Sequence, residues 1–146
     1  MKKNSKKKVV LYIPDSTSGV YLPLLWASAK SYYELKGQRQ EEYEWAHPRI
    51  NYEFNFDKLK EQLLEIKPDV FGVSMYIWND IQCLETAKWV KETFPNCLVV
   101  SGGPQQYFKH EKDWFQRYPF LDASLDGGEY GELTIADILD NLTEDN

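Results

Sequence analysis

Three short runs, residues 9–13, 69–75 and 98–100, are apolar at nearly every position. A strand with one wet face alternates apolar and polar residues. A strand apolar throughout is covered on both faces, which is the mark of a parallel sheet between two helical layers. The intervening segments agree. Residues 20–35 and 55–66 place apolar side chains at near-helical spacing, and Leu59, Leu63, Leu64 and Ile66 are expected to face inward. Gly37 is read as a helix C-cap, Asn55 or Asp57 as an N-cap, and Pro68 as a stop. Residues 79–94 form the next helix, closed by Pro95. A short helix is expected over 109–117, a fifth strand over 121–125 and a last helix over 131–142. The second strand, 43–46, is short and polar, as an edge strand can be.

Strands alternating with helices imply right-handed crossovers. The reading is α/β, a Rossmann-like, flavodoxin-like doubly wound parallel sheet of five strands in the order 2-1-3-4-5. In this topology a ligand binds beyond the carboxyl ends of the strands, where the strand order reverses. The loops at 14–19, 75–80, 101–107 and 126–132 all lie at that edge. With 146 residues, one domain is expected over 9–143, after a basic leader, 1–8, and before a tail, 144–146.

Composition narrows the function classes. Of seventeen basic residues, five are lysines within the first eight positions, and they face twenty-three acidic residues in the whole chain. The folded part is therefore strongly acidic, and a nucleic-acid partner is not expected. No apolar run is long enough to span a bilayer, so no membrane partner is expected either. Cys83 and Cys97 form neither a metal pattern nor a disulfide framework. They read as core cysteines in a cytoplasmic protein. Trp89 and Trp114 also read as core, while Trp78 reads as exposed at a ligand rim or partner surface.

Three stretches carry a more specific signal: "KPDVFGVSMY" at 67–76, "VVSGGPQ" at 99–105 and "LDASLDGGEYGELT" at 121–134. Together they resemble the cobalamin-binding domain found at the N-terminus of many radical S-adenosylmethionine enzymes. The resemblance implies a corrinoid disc across the carboxyl end of the sheet. Its nucleotide tail enters between the sheet and a helix. Asp15, Ser16 and Thr17 would lie under the disc, with Tyr76, Trp78 and Pro104 near it. Ser74, Gly102 and Gly103 would line the tail, the glycines by presenting bare backbone. Gly128, Glu129 and Glu132 would form the acidic closure. On the residues alone, the two glycines read equally as a tight turn into Pro104. The glutamates likewise read as favourable charges at a helix N-terminus.

Better-known cobalamin domains carry D-x-H-x-x-G after the first strand, with the histidine on cobalt. Here Asp15 fits, but Thr17 stands at the histidine position and Val20 at the glycine. No histidine ligation from this loop is expected, and no residue is assigned to a metal. His47 and His110 each read as a surface or capping histidine, although His47 stands near the carboxyl rim. Two cysteines cannot supply C-x-x-x-C-x-x-C. An iron–sulfur cluster and S-adenosylmethionine would thus need a separate catalytic domain, a possible partner. The chain reads as a cofactor-binding module without catalytic residues of its own. The alternatives are a flavin mononucleotide site, with Ser16 to Gly19 holding phosphate and Trp78 and Tyr107 stacking the ring, or an interaction module without a small ligand.

Overall fold

The computed structural model describes residues 5–14, 23–49, 54–105, 113–125 and 130–143. Its elements are β1 (Lys7–Tyr12), α1 (Leu24–Lys36), β2 (Tyr43–Trp45), α2 (Phe56–Ile66), β3 (Val70–Ser74), α3 (Asp80–Thr93), β4 (Leu98–Gly102), α4 (Trp114–Arg117), β5 (Ala123–Ser124) and α5 (Gly131–Asn141). A single 3-10 turn, Gln40–Glu42, leads into β2. The strands form one sheet in the order β2-β1-β3-β4-β5. Every pairing is parallel, as the alternation requires. Ser74 pairs with Gly102 at the carboxyl edge, one step beyond the pairs joining Leu11 to Gly72 and Gly72 to Val100.

The two sheet faces carry separate cores. Val10, Phe71, Val73 and Val99 pack with Leu59 and Leu63 of α2 and with Cys83, Ala87 and Val90 of α3. Val9, Leu11, Val70 and Val100 pack with Ala29 and Tyr33 of α1 and Ile135, Ala136 and Leu139 of α5. The period-two alternation along each strand produces this division.

Local chemistry explains several boundaries. Asn55 caps α2 by accepting the Lys58 backbone N–H at 2.9 Å. That helix ends at Lys67, whose left-handed backbone (φ 56°) places its N–H on the Leu63 carbonyl. The Lys8 ammonium donates to the Ile66 carbonyl at 2.9 Å, compensating the end of the same helix. The strand thus starts two residues earlier than expected, and Lys7 and Lys8 belong to the sheet. Gly37 is the C-cap of α1, its N–H donating to the Tyr33 carbonyl at 2.8 Å, and its backbone is extended. An added Cβ there would lie 2.4 Å from the Tyr33 ring, and that close approach explains the glycine.

Other expectations are corrected. Leu64 is 49% exposed, because only Leu59 and Leu63 lie on the buried stripe. Trp89 and Trp114 are half-buried at the margin of their core and not inside it. α4 begins at Trp114, and residues 106–112 lie outside the described set. Both cysteines are buried and free, with burial pushing the Cys97 thiol up to about 12 and the Cys83 thiol higher still. Among the described residues, no helix is long and apolar enough to cross a membrane.

His47 is not a surface residue. Its ring lies 5.7 Å from Tyr12 and 5.8 Å from Trp26, and its Nδ1 sits 2.6 Å from the Pro48 carbonyl. A carbonyl only accepts, so Nδ1 carries the proton of the neutral ring. Burial holds the imidazole below the usual histidine range, against the opposing effect of that hydrogen bond. The unfolded chain therefore takes up a proton first as pH falls. The stability that His47 contributes is complete above the unfolded value of about 6.5 and declines as pH drops from there through the folded value. Urea titrations between about pH 8 and 5 should show a loss of stability in the wild type that His47→Gln largely abolishes. Parallel pH profiles for the two proteins would refute this assignment.

Candidate functional site

Beyond the carboxyl edge, the chain after β3 is held by a buried asparagine. Asn79 is fully buried, and its Oδ1 accepts the Tyr76 backbone N–H at 2.7 Å. Its Nδ2 donates to the Pro14 carbonyl at 2.8 Å and to the Ser74 carbonyl at 3.3 Å. One side chain thus ties the ends of β1 and β3 together where the strand order reverses. The sequence pattern marks Asn79 only as the start of a helix. Its signal was a polar residue inside an otherwise apolar and aromatic loop.

The end of β4 is held by backbone alone. The Met75 N–H donates to the Gly102 carbonyl at 2.7 Å, and the Gln105 N–H donates to the Met75 carbonyl at 3.1 Å. Gly103 lies between them with φ +100°. A Cβ there would fall 2.5 Å from both the nitrogen and the oxygen of Met75, and 2.7 Å from the Ser74 hydroxyl. Gly103 is therefore required by the turn and by this close backbone approach. Gly102 differs: its Cβ would meet Leu125 at an ordinary 3.4 Å, so space for a side chain exists.

That space belongs to a cavity of about 210 Å³ between the sheet and the first turns of α1 and α5. On the sheet side it meets Leu11, Ser74, Val100 and Gly102; on the helix side it meets Leu25, Ala29, Glu132 and Ile135. Gly131, the first residue of α5, also lines it, and a Cβ there would meet nothing within 4 Å. Ser74 is only 6% exposed. Among the described residues its hydroxyl has no hydrogen-bond partner. A hydroxyl on the wall of a mainly aliphatic cavity offers a donor and an acceptor there.

Exposed apolar side chains lie in the loop after β3, at the start of α3 and just before α5. Ile77, Trp78, Ile81 and Tyr130 are 75%, 52%, 65% and 68% exposed. Trp78 stacks on Tyr76 with centroids 4.8 Å apart and planes at 15°, leaving its outer face free. Pro104 is exposed on the same edge.

The structure thus brings together Ser74, Tyr76, Gly102, Gly103, Pro104 and Glu132 around one cavity, with Trp78 stacked on Tyr76. Asp15, Ser16, Thr17, Gly128 and Glu129 lie outside the described residues, as do Tyr107 and His110. Among the described residues, no group of three His, Cys, Asp or Glu could hold a metal ion. Gly131 and Ile135 were missed. A glycine opening a helix, where alanine would be more stable, was the available signal for Gly131.

Two curated relatives match this chain along most of its length. A cobalamin-dependent radical SAM methyltransferase, TokK, from Streptomyces tokunonensis is 31% identical over 130 residues, which are 86% of this chain and 18% of the relative. A 2-(S-pantetheinyl)-carbapenam-3-carboxylate methyltransferase from Streptantibioticus cattleyicolor is 33% identical over 125 residues, 83% of this chain and 18% of the relative. The expected resemblance is borne out: this chain is similar to a segment of two methyltransferases, one of them named as a cobalamin-dependent radical SAM enzyme. It spans under a fifth of either relative's length. No protein-family model matches it.

The two glycine environments separate fold from site. Gly103→Ala should destabilise the domain by roughly 2 kcal/mol or more, from left-handed strain plus the clash with Met75. Gly131→Ala should instead stabilise it by up to about 1 kcal/mol, because α5 gains helix propensity without a clash. Urea denaturation of both variants measures this contrast, and equal destabilisation would contradict it.

Proposed function

We propose that this chain is a corrinoid-binding module, the cofactor-holding part of a cobalamin-dependent radical S-adenosylmethionine system. The observation that carries this reading is the cavity lined by Ser74 and Tyr76, with the exposed Trp78 stacked on Tyr76. A cavity of about 210 Å³ is too small for a macrocycle but suits a single heteroaromatic group. The exposed apolar side chains suit a broad apolar disc. A corrinoid has both parts, joined by a sugar–phosphate linker.

In this reading the tail enters between the sheet and helices α1 and α5, with Ser74 donating to it and Gly102 and Gly131 leaving room. The disc lies beside Tyr76, Trp78 and Pro104, with Asp15, Ser16 and Thr17 beneath it. Glu132, a cavity-lining residue, belongs to the acidic group that the resemblance assigns together with Gly128 and Glu129. When bound, the cobalt supplies a centre able to carry a methyl group. The chain's own residues bind and orient the cofactor and shield its tail from water. The chain has two cysteines, both free and buried in the same core, so an iron–sulfur cluster and S-adenosylmethionine would require a separate catalytic domain. The buried free thiols suit a reducing cytoplasm.

Absorbance titrations with hydroxocobalamin and with flavin mononucleotide, run in parallel, test the reading. Saturable corrinoid binding is expected, without saturable flavin binding. Ser74→Ala should weaken it by roughly three- to tenfold, the effect of one lost hydrogen bond. Gly102→Val, which fills the cavity from the sheet side, should weaken it further. Flavin binding alone would assign the site to a flavin. Binding of neither would leave an interaction module.

A further inference from the structure

The cavity is graded in polarity along its length. Parallel register orders its walls. Ser74 and Gly102 are the last residues of their strands, while Leu11, Gly72 and Val100 lie one inward-facing step deeper. On the helices, Leu25 and Glu132 belong to the first turns of α1 and α5, and Ala29 and Ile135 lie about one turn deeper. The hydroxyl and the carboxylate therefore stand toward the mouth. The closed end is walled by Leu11, Ala29, Val100 and Ile135, whose residues are at most 5% exposed.

We infer that this grading selects the lower base of the corrinoid, favouring a benzimidazole over a purine. The inference rests on the corrinoid-binding reading above. A base joined to its ribose through an azole nitrogen enters with the azole half toward the mouth and the six-membered ring at the closed end. The second azole nitrogen can then accept a hydrogen bond from Ser74. A dimethylbenzimidazole places only carbon deeper than that. An adenine places two ring nitrogens and an exocyclic amine against Leu11, Ala29, Val100 and Ile135, where they lose water; Ser101, which also lines the cavity, has its hydroxyl engaged with Ser124. Size agrees: a dry apolar cavity of about 150 Å³ accepts one benzene ring, so one of about 210 Å³ suits two fused rings.

The test is a set of absorbance titrations of the whole chain with cobalamin, its adenine-based analogue and cobinamide, which has no base. Corrinoids differ in how readily the base leaves cobalt in solution. The informative quantity is therefore the ratio of the cobalamin and adenine-analogue dissociation constants, compared between wild type and variants, because that solution property cancels. Ile135→Asn and the milder Ala29→Ser each place a polar partner at the closed end. Each should shift the ratio toward the adenine analogue, Ile135→Asn by roughly tenfold. Cobinamide should bind more weakly than cobalamin. An unchanged ratio in both variants, each folded by circular dichroism, would overturn the inference. Cobinamide binding as tightly as cobalamin would also overturn it, by placing the tail outside the cavity, while the corrinoid reading would stand. No saturable binding of any of the three would remove that reading and the inference with it.

Discussion

The approach of Gly103 to the backbone of Met75 is the constraint on which the carboxyl edge depends. Met75 donates to Gly102 and accepts from Gln105, so β3 and β4 are joined one residue past the end of the ladder. A side chain at position 103 would collide with Met75 and with the Ser74 hydroxyl. Because the glycine permits the approach, Ser74 remains paired with Gly102 and its hydroxyl stays on the α1 and α5 face. The paired glycines therefore have different physical causes. Gly103 exists for the backbone. Gly102 has room for a side chain and leaves that room vacant.

The two faces of the sheet divide stability from space. On the α2 and α3 face, Phe71, Val73, Val99, Leu63 and Val90 are buried at 3% exposure or less. Each such side chain contributes about 1.5–3 kcal/mol relative to an exposed one. The other face is solid only in its amino-terminal half, around Val9, Val70, Tyr33 and Leu139. Its carboxyl half has Gly72, Ser74 and Gly102 where large side chains would fill the layer. Leu11 and Val100 lean over Gly72 and close the cavity from below, as the 2.6 Å and 3.0 Å approaches to an added Cβ show.

The sheet order was legible because it follows from few residues. Doubly apolar strands at β1, β3 and β4, helix signals between them and a polar β2 leave little room for another arrangement. Helix faces were less legible. Leu64 has the same chemistry as Leu63, and only the hundred-degree turn per residue sends it to solvent. The site was half legible. Ser74, Gly102 and Glu132 converge because parallel strands bring their carboxyl ends to one edge. The hollow itself could not be read, since a cavity is a property of what surrounds a glycine. Asn79 illustrates the same limit: its bond to the Pro14 carbonyl joins residues 65 positions apart, and no local pattern encodes that.

The far end of the layer shows why the hollow can exist without loosening the domain. At the amino edge, Tyr33 donates to Asp140 at 2.8 Å, and the Gln38 N–H donates to the same carboxylate oxygen. Arg39 donates to the Leu142 carbonyl at 2.6 Å, and the Tyr43 hydroxyl donates to the Leu139 carbonyl at 2.7 Å. Arg39 thus supplies charge and hydrogen bonds where α5 ends and its dipole is negative. These contacts pin the C-terminal ends of α1 and α5 to each other and to β2. Their N-terminal ends, at the cavity mouth, carry no side-chain cap bond: Pro23 precedes α1 and Tyr130 precedes α5. The pair is a wedge, fastened where it is narrow and lightly held where it opens. The fastened end carries the sheet packing, so the hollow between the first turns does not loosen the layer.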